Sequence, residues 1–144
     1  MPGRSRIASH FVTIAAVLAI ASPARADEAP RWPADAVLLF VAGWCAPCHA
    51  ELREVEALAA AAEPRRLLVV PADQTRSTAT MMKPLSAARV WRDPAVLRAL
   101  WSGALGAGLP LTLVTDGEGR VCGEHRRVLR PGDVAALAAR CGRR

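Results

Sequence analysis

The sequence has no tyrosine, only two phenylalanines and a single lysine, Lys83, among its 144 residues. Proteins that bind nucleic acid commonly combine clustered basic residues with aromatic side chains on which bases stack. No basic run interleaved with aromatic residues occurs in this chain, although its formal net charge is +6. We therefore expect no nucleic-acid partner.

The N-terminal apolar stretch is too short for an ordinary membrane span. Phe11–Ala21 covers 11 residues, whereas a transmembrane helix needs about 20. Two arginines precede this stretch, and the small residues Ala24 and Ala26 follow it at the −3 and −1 positions of a cleavage site. This pattern is typical of a secretory signal peptide. We predict a signal peptide over residues 1–26 and export to the periplasm or a similar compartment; the alternative is an uncleaved N-terminal anchor.

The chain after this signal has the length of one domain. Cleavage after Ala26 leaves 118 residues with 16 basic and 13 acidic side chains, a net charge of +3. Residues 27–35 are polar and contain Pro30 and Pro33, which predicts an extended lead-in. Residues 36–144 form the predicted domain, and we see no internal repeat in it.

The pattern of apolar residues predicts an α/β fold. Val37–Val41 and Leu67–Val70 are short apolar runs typical of strands buried on both faces. Between them, helical periodicity runs from Ala46 to about Ala62 and Pro64 ends it. A strand, a helix and a strand in this order predict a right-handed crossover with parallel pairing.

The second half of the chain predicts antiparallel pairing. We expect a short helix over residues 77–83, a short strand or loop over 88–91, and a helix from the N-cap Asp93 to about residue 102. A strand over 111–115, a turn over 116–119 and a strand over 121–129 precede a last helix that begins at Pro131. The result is a central mixed sheet flanked by helices on both faces. Three tryptophans are expected to pack in this core: Trp32, Trp91 and Trp101.

The motif Trp44-Cys45-Ala46-Pro47-Cys48 lies between a predicted strand and the first turn of a predicted helix. Two cysteines three residues apart on a helix can close a disulfide with little movement. Unpaired backbone N–H groups at the helix N-terminus stabilise a thiolate at Cys45, and a thiolate is the nucleophile of disulfide exchange. Cys48 lies one turn further in and is suited to resolving a mixed disulfide.

The stretch from Phe40 to Glu51 resembles the active site of the thioredoxin-like superfamily, in particular the exported TlpA/ResA-type thiol–disulfide oxidoreductases. Those proteins carry a WCxPC core with a glutamate a few residues later, which Glu51 matches. They also have a cis-proline that faces the cysteines, followed by a strand and an Asp-x-x-Gly turn, which the stretch from Leu109-Pro110 to Gly119 matches. The resemblance covers roughly residues 36–140.

The resemblance implies a thioredoxin-like fold and a role for each matched residue. Cys45 and Cys48 are the catalytic pair, and Glu51 assists proton transfer. Trp44, Leu109 and Pro110 shape the substrate groove. Two departures are Leu111, where the family usually has threonine, and Leu39, where cytoplasmic thioredoxins carry a buried aspartate.

The resemblance also implies a reductive direction and a set of partners. The clients would be protein thiols or disulfides, such as apocytochrome c in cytochrome c maturation, and a membrane electron carrier would re-reduce the dithiol. No cofactor is expected apart from the Cys45–Cys48 disulfide, and no metal site.

Two further interpretations of the motif stay open on the sequence alone. Cys45-x-x-Cys48-His49 is also the string that attaches c-type haem, with Met81 or Met82 as the second axial ligand. Alternatively, the two cysteines with His49 and His125 would form a copper- or zinc-binding module.

Two cysteines remain. Cys122 lies at the start of a predicted strand, and Cys141 lies at the end of the last predicted helix. Because exported proteins seldom keep free thiols, we expect a structural disulfide between them. Two buried thiols or a second redox relay are the alternatives.

Overall fold

The computed structural model describes residues 32–103 and 108–142. The predicted signal peptide, residues 1–26, and most of the lead-in therefore lie outside the described residues. The strands are β1 (Ala36–Val41), β2 (Arg66–Pro71), β3 (Leu111–Thr115) and β4 (Val121–His125). The helices are α1 (Ala46–Arg53), α2 (Val55–Ala62), α3 (Arg76–Met81), α4 (Pro94–Trp101) and α5 (Pro131–Cys141), with a single 3₁₀ turn at Ala87–Arg89.

The four strands form one mixed sheet in the order β2-β1-β3-β4. β1 pairs parallel to β2, with Val37 opposite Leu67, and antiparallel to β3, with Phe40 opposite Leu111. β4 pairs antiparallel to β3 at the edge of the sheet. The predicted β-α-β crossover followed by a hairpin is therefore the architecture that the structure shows.

Two hydrophobic clusters cover the two faces of this sheet. One face packs under α1, α2 and α5 through a cluster that includes Val37, Leu39 and Leu58. The opposite face packs under α4 through Leu38, Phe40 and other buried residues. Because successive side chains of a strand point to opposite faces, β1 supplies both clusters, and all six of its residues are fully buried.

Two elements differ from their predicted extents. The single helix predicted from Ala46 to Ala62 is broken at Glu54, whose N–H donates 3.0 Å to Glu51 O, three residues back. This tighter hydrogen bond separates α1 from α2. β4 ends at His125 rather than continuing to Leu129, because the chain turns inward and buries Leu129 beneath the sheet's helices.

The end of the lead-in is attached to the domain. Trp32 packs edge-on against Phe40, with 6.2 Å between ring centroids, and its ring lies 5.9 Å from that of Trp91. The Thr115 hydroxyl donates to Pro33 O over 2.6 Å. Trp32 and Trp91 are thus packing residues, as the sequence predicts. No helix among the described residues is long and apolar enough to cross a membrane.

A disulfide joins Cys122, in β4, to Cys141, the last residue of α5. α5 also packs against α2 and β4. The bond spans a sequence separation of 19 residues and ties the C-terminal helix to the edge strand. We assign it a structural role.

Replacing both Cys122 and Cys141 by serine should lower the free energy of unfolding by about 3 kcal/mol, because the bond restricts a loop of this length in the unfolded chain. Urea unfolding of the oxidised protein measures the change. The matched control is the Cys45→Ser/Cys48→Ser double variant, whose bond closes a much shorter loop and should contribute less. An unchanged free energy of unfolding in the first variant would contradict the structural role.

Candidate active site

The reactive motif lies where β1 ends and α1 begins. Four residues after the end of β1, Cys45 takes an extended backbone conformation and caps α1. Its Sγ accepts a hydrogen bond from Cys48 N over 3.3 Å, and its own N–H donates to Ala42 O over 3.0 Å. Pro47 lies in the first turn, where its missing N–H costs nothing. The sequence therefore places Cys45 at the positive end of the helix dipole.

Cys45 and Cys48 are joined by a disulfide, with 5.3 Å between their Cα atoms. Of the two residues, only Cys45 keeps any exposed surface, 3% against 0% for Cys48. Cys48 Sγ lies 3.7 Å from Phe40 O, which can accept from its thiol in the reduced state. Both cysteines are therefore buried in the disulfide form, and Cys45 alone of the two keeps a small exposed surface.

The turn between β1 and α1 is held by the N-terminus of α3. Gly43 N donates to the buried Thr78 hydroxyl over 2.8 Å. A Cβ at Gly43 would lie 2.5 Å from Ser77 Oγ and 2.7 Å from the Ser77 backbone carbon, so only glycine allows this close approach. The α3 segment thereby fixes the position of the motif.

Trp44 is positioned by Asp73. The indole Nε1 donates to Asp73 Oδ2 over 2.9 Å, while Asp73 Oδ1 accepts from the backbone N and the hydroxyl of Thr75. Partial burial opposes ionisation of Asp73, but hydrogen bonds from Thr78, Thr75 and Trp44 outweigh it and hold the pKa of Asp73 below 3.8. An ionised carboxylate therefore orients an indole that is 66% exposed. Sequence reasoning did not find Asp73, because nothing in the motif points to it.

The Leu109–Pro110 peptide bond is cis and leads directly into β3. Phe40, near the end of β1, pairs with Leu111, the first residue of β3. Because the two strands are antiparallel, Pro110 lies at the same edge of the sheet as the chain that leaves β1 toward Cys45. The structure therefore brings together the two motifs that the sequence shows 62 residues apart.

Glu51 is a buried carboxyl on α1, one turn beyond Cys48. It is 1% exposed, and its Oε1 accepts from Leu129 N over 2.7 Å. Its Oε2 has no hydrogen-bond partner among the described residues. Burial raises the pKa of Glu51 above 4.5, and the hydrogen bond from Leu129 only partly opposes this. A carboxyl with a raised pKa on the helix that carries both cysteines is suited to holding and releasing a proton.

Three further residues bear on the site less directly. Leu39 is fully buried in β1, so position 39 supplies no carboxyl, and Glu51 is the buried acidic residue among those described. His49 is exposed, and its Nε2 lies 3.0 Å from Gly43 O. His125 is mostly buried in β4, and its Nε2 has no hydrogen-bond partner among the described residues; Asp133 Oδ2 lies 3.9 Å from it.

Trp101 does not pack in the core, and the sequence-based prediction for it is wrong. It ends α4 with 67% of its surface exposed. Val96 and Leu100 occupy the inward face of α4, and Trp101 lies outside that face because of the helical period.

Solved structures show which fold this is. The chain resembles DsbF from MTB, with a TM-score of 0.55 and 21% identity over 72% of this chain and 78% of DsbF. The mixed four-stranded sheet with helices on both faces agrees with that match. The chain has the thioredoxin fold.

Two further solved structures share this thioredoxin fold. The exposed lipoprotein thioredoxin Etrx1 of Streptococcus pneumoniae has a TM-score of 0.55 and 21% identity over 72% of this chain and 82% of Etrx1. A thiol:disulfide interchange protein DsbE of Chlorobium tepidum has a TM-score of 0.51 and 25% identity over 74% and 77% of the two chains. No protein-family model and no curated protein matches the sequence.

Replacing Glu51 by glutamine should change how the stability of this thioredoxin-fold protein depends on pH. Because the pKa of Glu51 is raised on folding, the folded state binds more protons than the unfolded state between the two pKa values. The contribution of Glu51 to the free energy of unfolding is therefore largest below its pKa in the unfolded chain, and it is lost as pH rises through its pKa in the folded protein. Glutamine keeps the shape and cannot ionise, so this fall should be reduced.

The measurement is the free energy of unfolding in urea at a series of pH values from 4 upward. The control is Glu54→Gln, which removes an exposed carboxyl of the same helix region. Parallel pH profiles for the unsubstituted protein and Glu51→Gln would show that Glu51 is not a buried titrating group.

Proposed function

We propose that this protein is an exported thiol–disulfide oxidoreductase that works through Cys45 and Cys48. The observation that carries the proposal is the Cys45–Cys48 disulfide at a helix N-terminus, with Cys45 slightly exposed and Cys48 fully buried. The position of Pro110, directly before β3 and at the same end of the sheet, supports it. These features serve a dithiol that must alternate between a bonded and a reduced state.

The exchange proceeds in two steps. The Cys45 thiolate attacks one sulfur of a client disulfide, forms a mixed disulfide and releases the other client sulfur as a thiolate. Cys48 then loses its proton and attacks Cys45 Sγ. The Cys45–Cys48 bond forms, the second client sulfur leaves, and two electrons have passed to the client. The reverse sequence oxidises a client dithiol.

Glu51 is proposed to accept the Cys48 proton in the second step. Cys48 is fully buried, so water cannot serve as its base directly. Glu51 lies three residues later on the same face of α1, and its Oε2 is free of protein partners in the described part of the chain. A protonated Glu51 then returns the proton when the disulfide is reduced again.

The direction and the partners belong to the same proposal. We propose a reductase located in the periplasm or a similar compartment, with apocytochrome c or other exported proteins as clients and a membrane electron carrier as the source of electrons. The predicted signal peptide supports export. A structural neighbour named as an exposed lipoprotein and another named as a thiol:disulfide interchange protein are consistent with it.

The geometry of the motif disfavours the haem interpretation. Thioether attachment needs both sulfurs at a haem edge, but Cys48 is fully buried beneath β1. Met82, a candidate axial ligand, is also buried in the core on the helix-covered face. The metal interpretation finds no support either, because no group of three or more His, Cys, Asp or Glu side chains within residues 32–103 and 108–142 is arranged to hold an ion.

Serine at either cysteine should abolish turnover, with different consequences for the intermediate. Cys45→Ser removes the attacking thiol and should form no adduct with a disulfide-bonded client. Cys48→Ser removes only the resolving thiol and should accumulate a mixed disulfide at Cys45. Mass spectrometry under non-reducing conditions measures the adduct, and the Cys122→Ser/Cys141→Ser variant is the control that should keep turnover. Turnover by Cys45→Ser would refute the proposal.

The reduction potential of the Cys45–Cys48 couple tests the direction. A reductase should have a potential near the thioredoxin value of about −270 mV, whereas an oxidase of DsbA type lies near about −120 mV. Equilibration of the purified protein with glutathione or dithiothreitol, followed by thiol alkylation, measures it. A Soret absorption band in the same sample would instead indicate haem.

A further inference from the structure

Two exposed tryptophans border a cleft beside the reactive disulfide. Among the described residues, only four large hydrophobic side chains are strongly exposed, and Trp44 and Trp101 are the two aromatic ones, at 66% and 67%. Both line the same cleft of about 220 Å³, together with Leu100, Leu109, Ala72 and Asp73. The two most exposed aromatic side chains of the described residues therefore lie in one cleft, and Trp44 is the residue that precedes Cys45 in the sequence.

The side chain of Trp101 contributes little to the hydrophobic core. Asp93 caps α4 through a 2.7 Å hydrogen bond to Ala95 N, and Val96 anchors the helix to the sheet. Burial of a large apolar side chain stabilises a fold, and Trp101 largely forgoes that stabilisation because 67% of its surface is exposed. Exposed aromatic surface that adjoins a reactive group is typical of a binding site.

Charge gives the cleft a second property. Asp73 is the single charged side chain that lines it, and its carboxylate is held in place by Trp44 and Thr75. A client segment with a basic residue beside its cysteine complements this carboxylate, and one with an acidic residue is repelled.

We propose that the Trp44–Trp101 cleft docks an extended client segment that carries an aromatic or large aliphatic side chain next to its cysteine, with basic rather than acidic neighbours. The inference rests on the proposed function and names the substrate class of the same site. The side chain of the client packs between the two indoles, and Leu109 continues the apolar surface toward Pro110. This contact presents the client sulfur to Cys45, so Trp101 is a positioning residue.

The test compares Trp101→Ala with the unsubstituted protein on three disulfide substrates. The first is a peptide whose cysteine is flanked by tryptophan and lysine, the second replaces the tryptophan by glycine, and the third is oxidised glutathione. Trp101→Ala should lower kcat/KM for the first peptide by about tenfold, because tryptophan is enriched among the contact residues whose truncation weakens binding most. The rates for the other two substrates should stay within about a factor of two, because neither inserts a large side chain into the cleft.

Two variants serve as controls. Trp101→Phe keeps an aromatic ring and should retain most of the preference for the first peptide. Val128→Ala truncates another exposed hydrophobic residue that does not line the cleft and should behave as the unsubstituted protein. Replacing lysine by glutamate in the first peptide should lower kcat/KM, and added salt should reduce that difference.

The outcomes separate this inference from the proposed function. Equal rates for Trp101→Ala and the unsubstituted protein on the first peptide would overturn the docking role, as would a uniform slowing on all three substrates. If the unsubstituted protein reduces none of the substrates, glutathione included, the proposed function fails and the docking role fails with it.

Discussion

The junction between β1 and α1 determines the position of every other part of the site. β1 is central in the sheet, with β2 on one side and β3 on the other, and all six of its residues are fully buried. A shift of one residue would move every β1 side chain from one hydrophobic cluster to the other and disrupt the packing of both, so its register is determined. The chain therefore leaves the sheet at one place, where α1 begins with Cys45 as its cap. Pro110, which directly precedes β3, and the carboxyl of Glu51 belong to the same end of the sheet.

Glu51 shows the cost of this arrangement. A buried carboxyl with one oxygen hydrogen-bonded and the other unpartnered among the described residues destabilises a core when it ionises. Glu51 lies on α1, the helix that begins at the cysteine motif. In β1, position 39 carries the apolar residue Leu39. Local sites that oppose stability are typical of functional regions, and here the penalty falls on the group proposed to move the proton.

The two disulfides lie in different parts of the fold. The Cys45–Cys48 bond closes a loop of one helical turn at the end of the sheet. The Cys122–Cys141 bond joins the edge strand to the last helix and shares no element with the first pair. The second bond therefore supports the C-terminal part of the fold, while the six fully buried residues of β1 hold the strand that leads to the first pair.

Local patterns in the chain were sufficient for the strands, most helices and the closely spaced Cys45–Cys48 pair, and the family resemblance predicted the cis-proline. Apolar runs, helix caps such as Asp93 and the short spacing of the Cys45–Cys48 pair act between neighbours in sequence, and such signals can be read one segment at a time. The break at Glu54 and the early end of β4 could not be read in this way, because they depend on where the chain packs. The same holds for the exposure of Trp101 and for the contact of Trp44 with Asp73, 29 residues away. Burial and long-range hydrogen bonds arise only when distant segments meet, and for that reason folding in three dimensions made Glu51 a buried acid and Trp101 a surface residue.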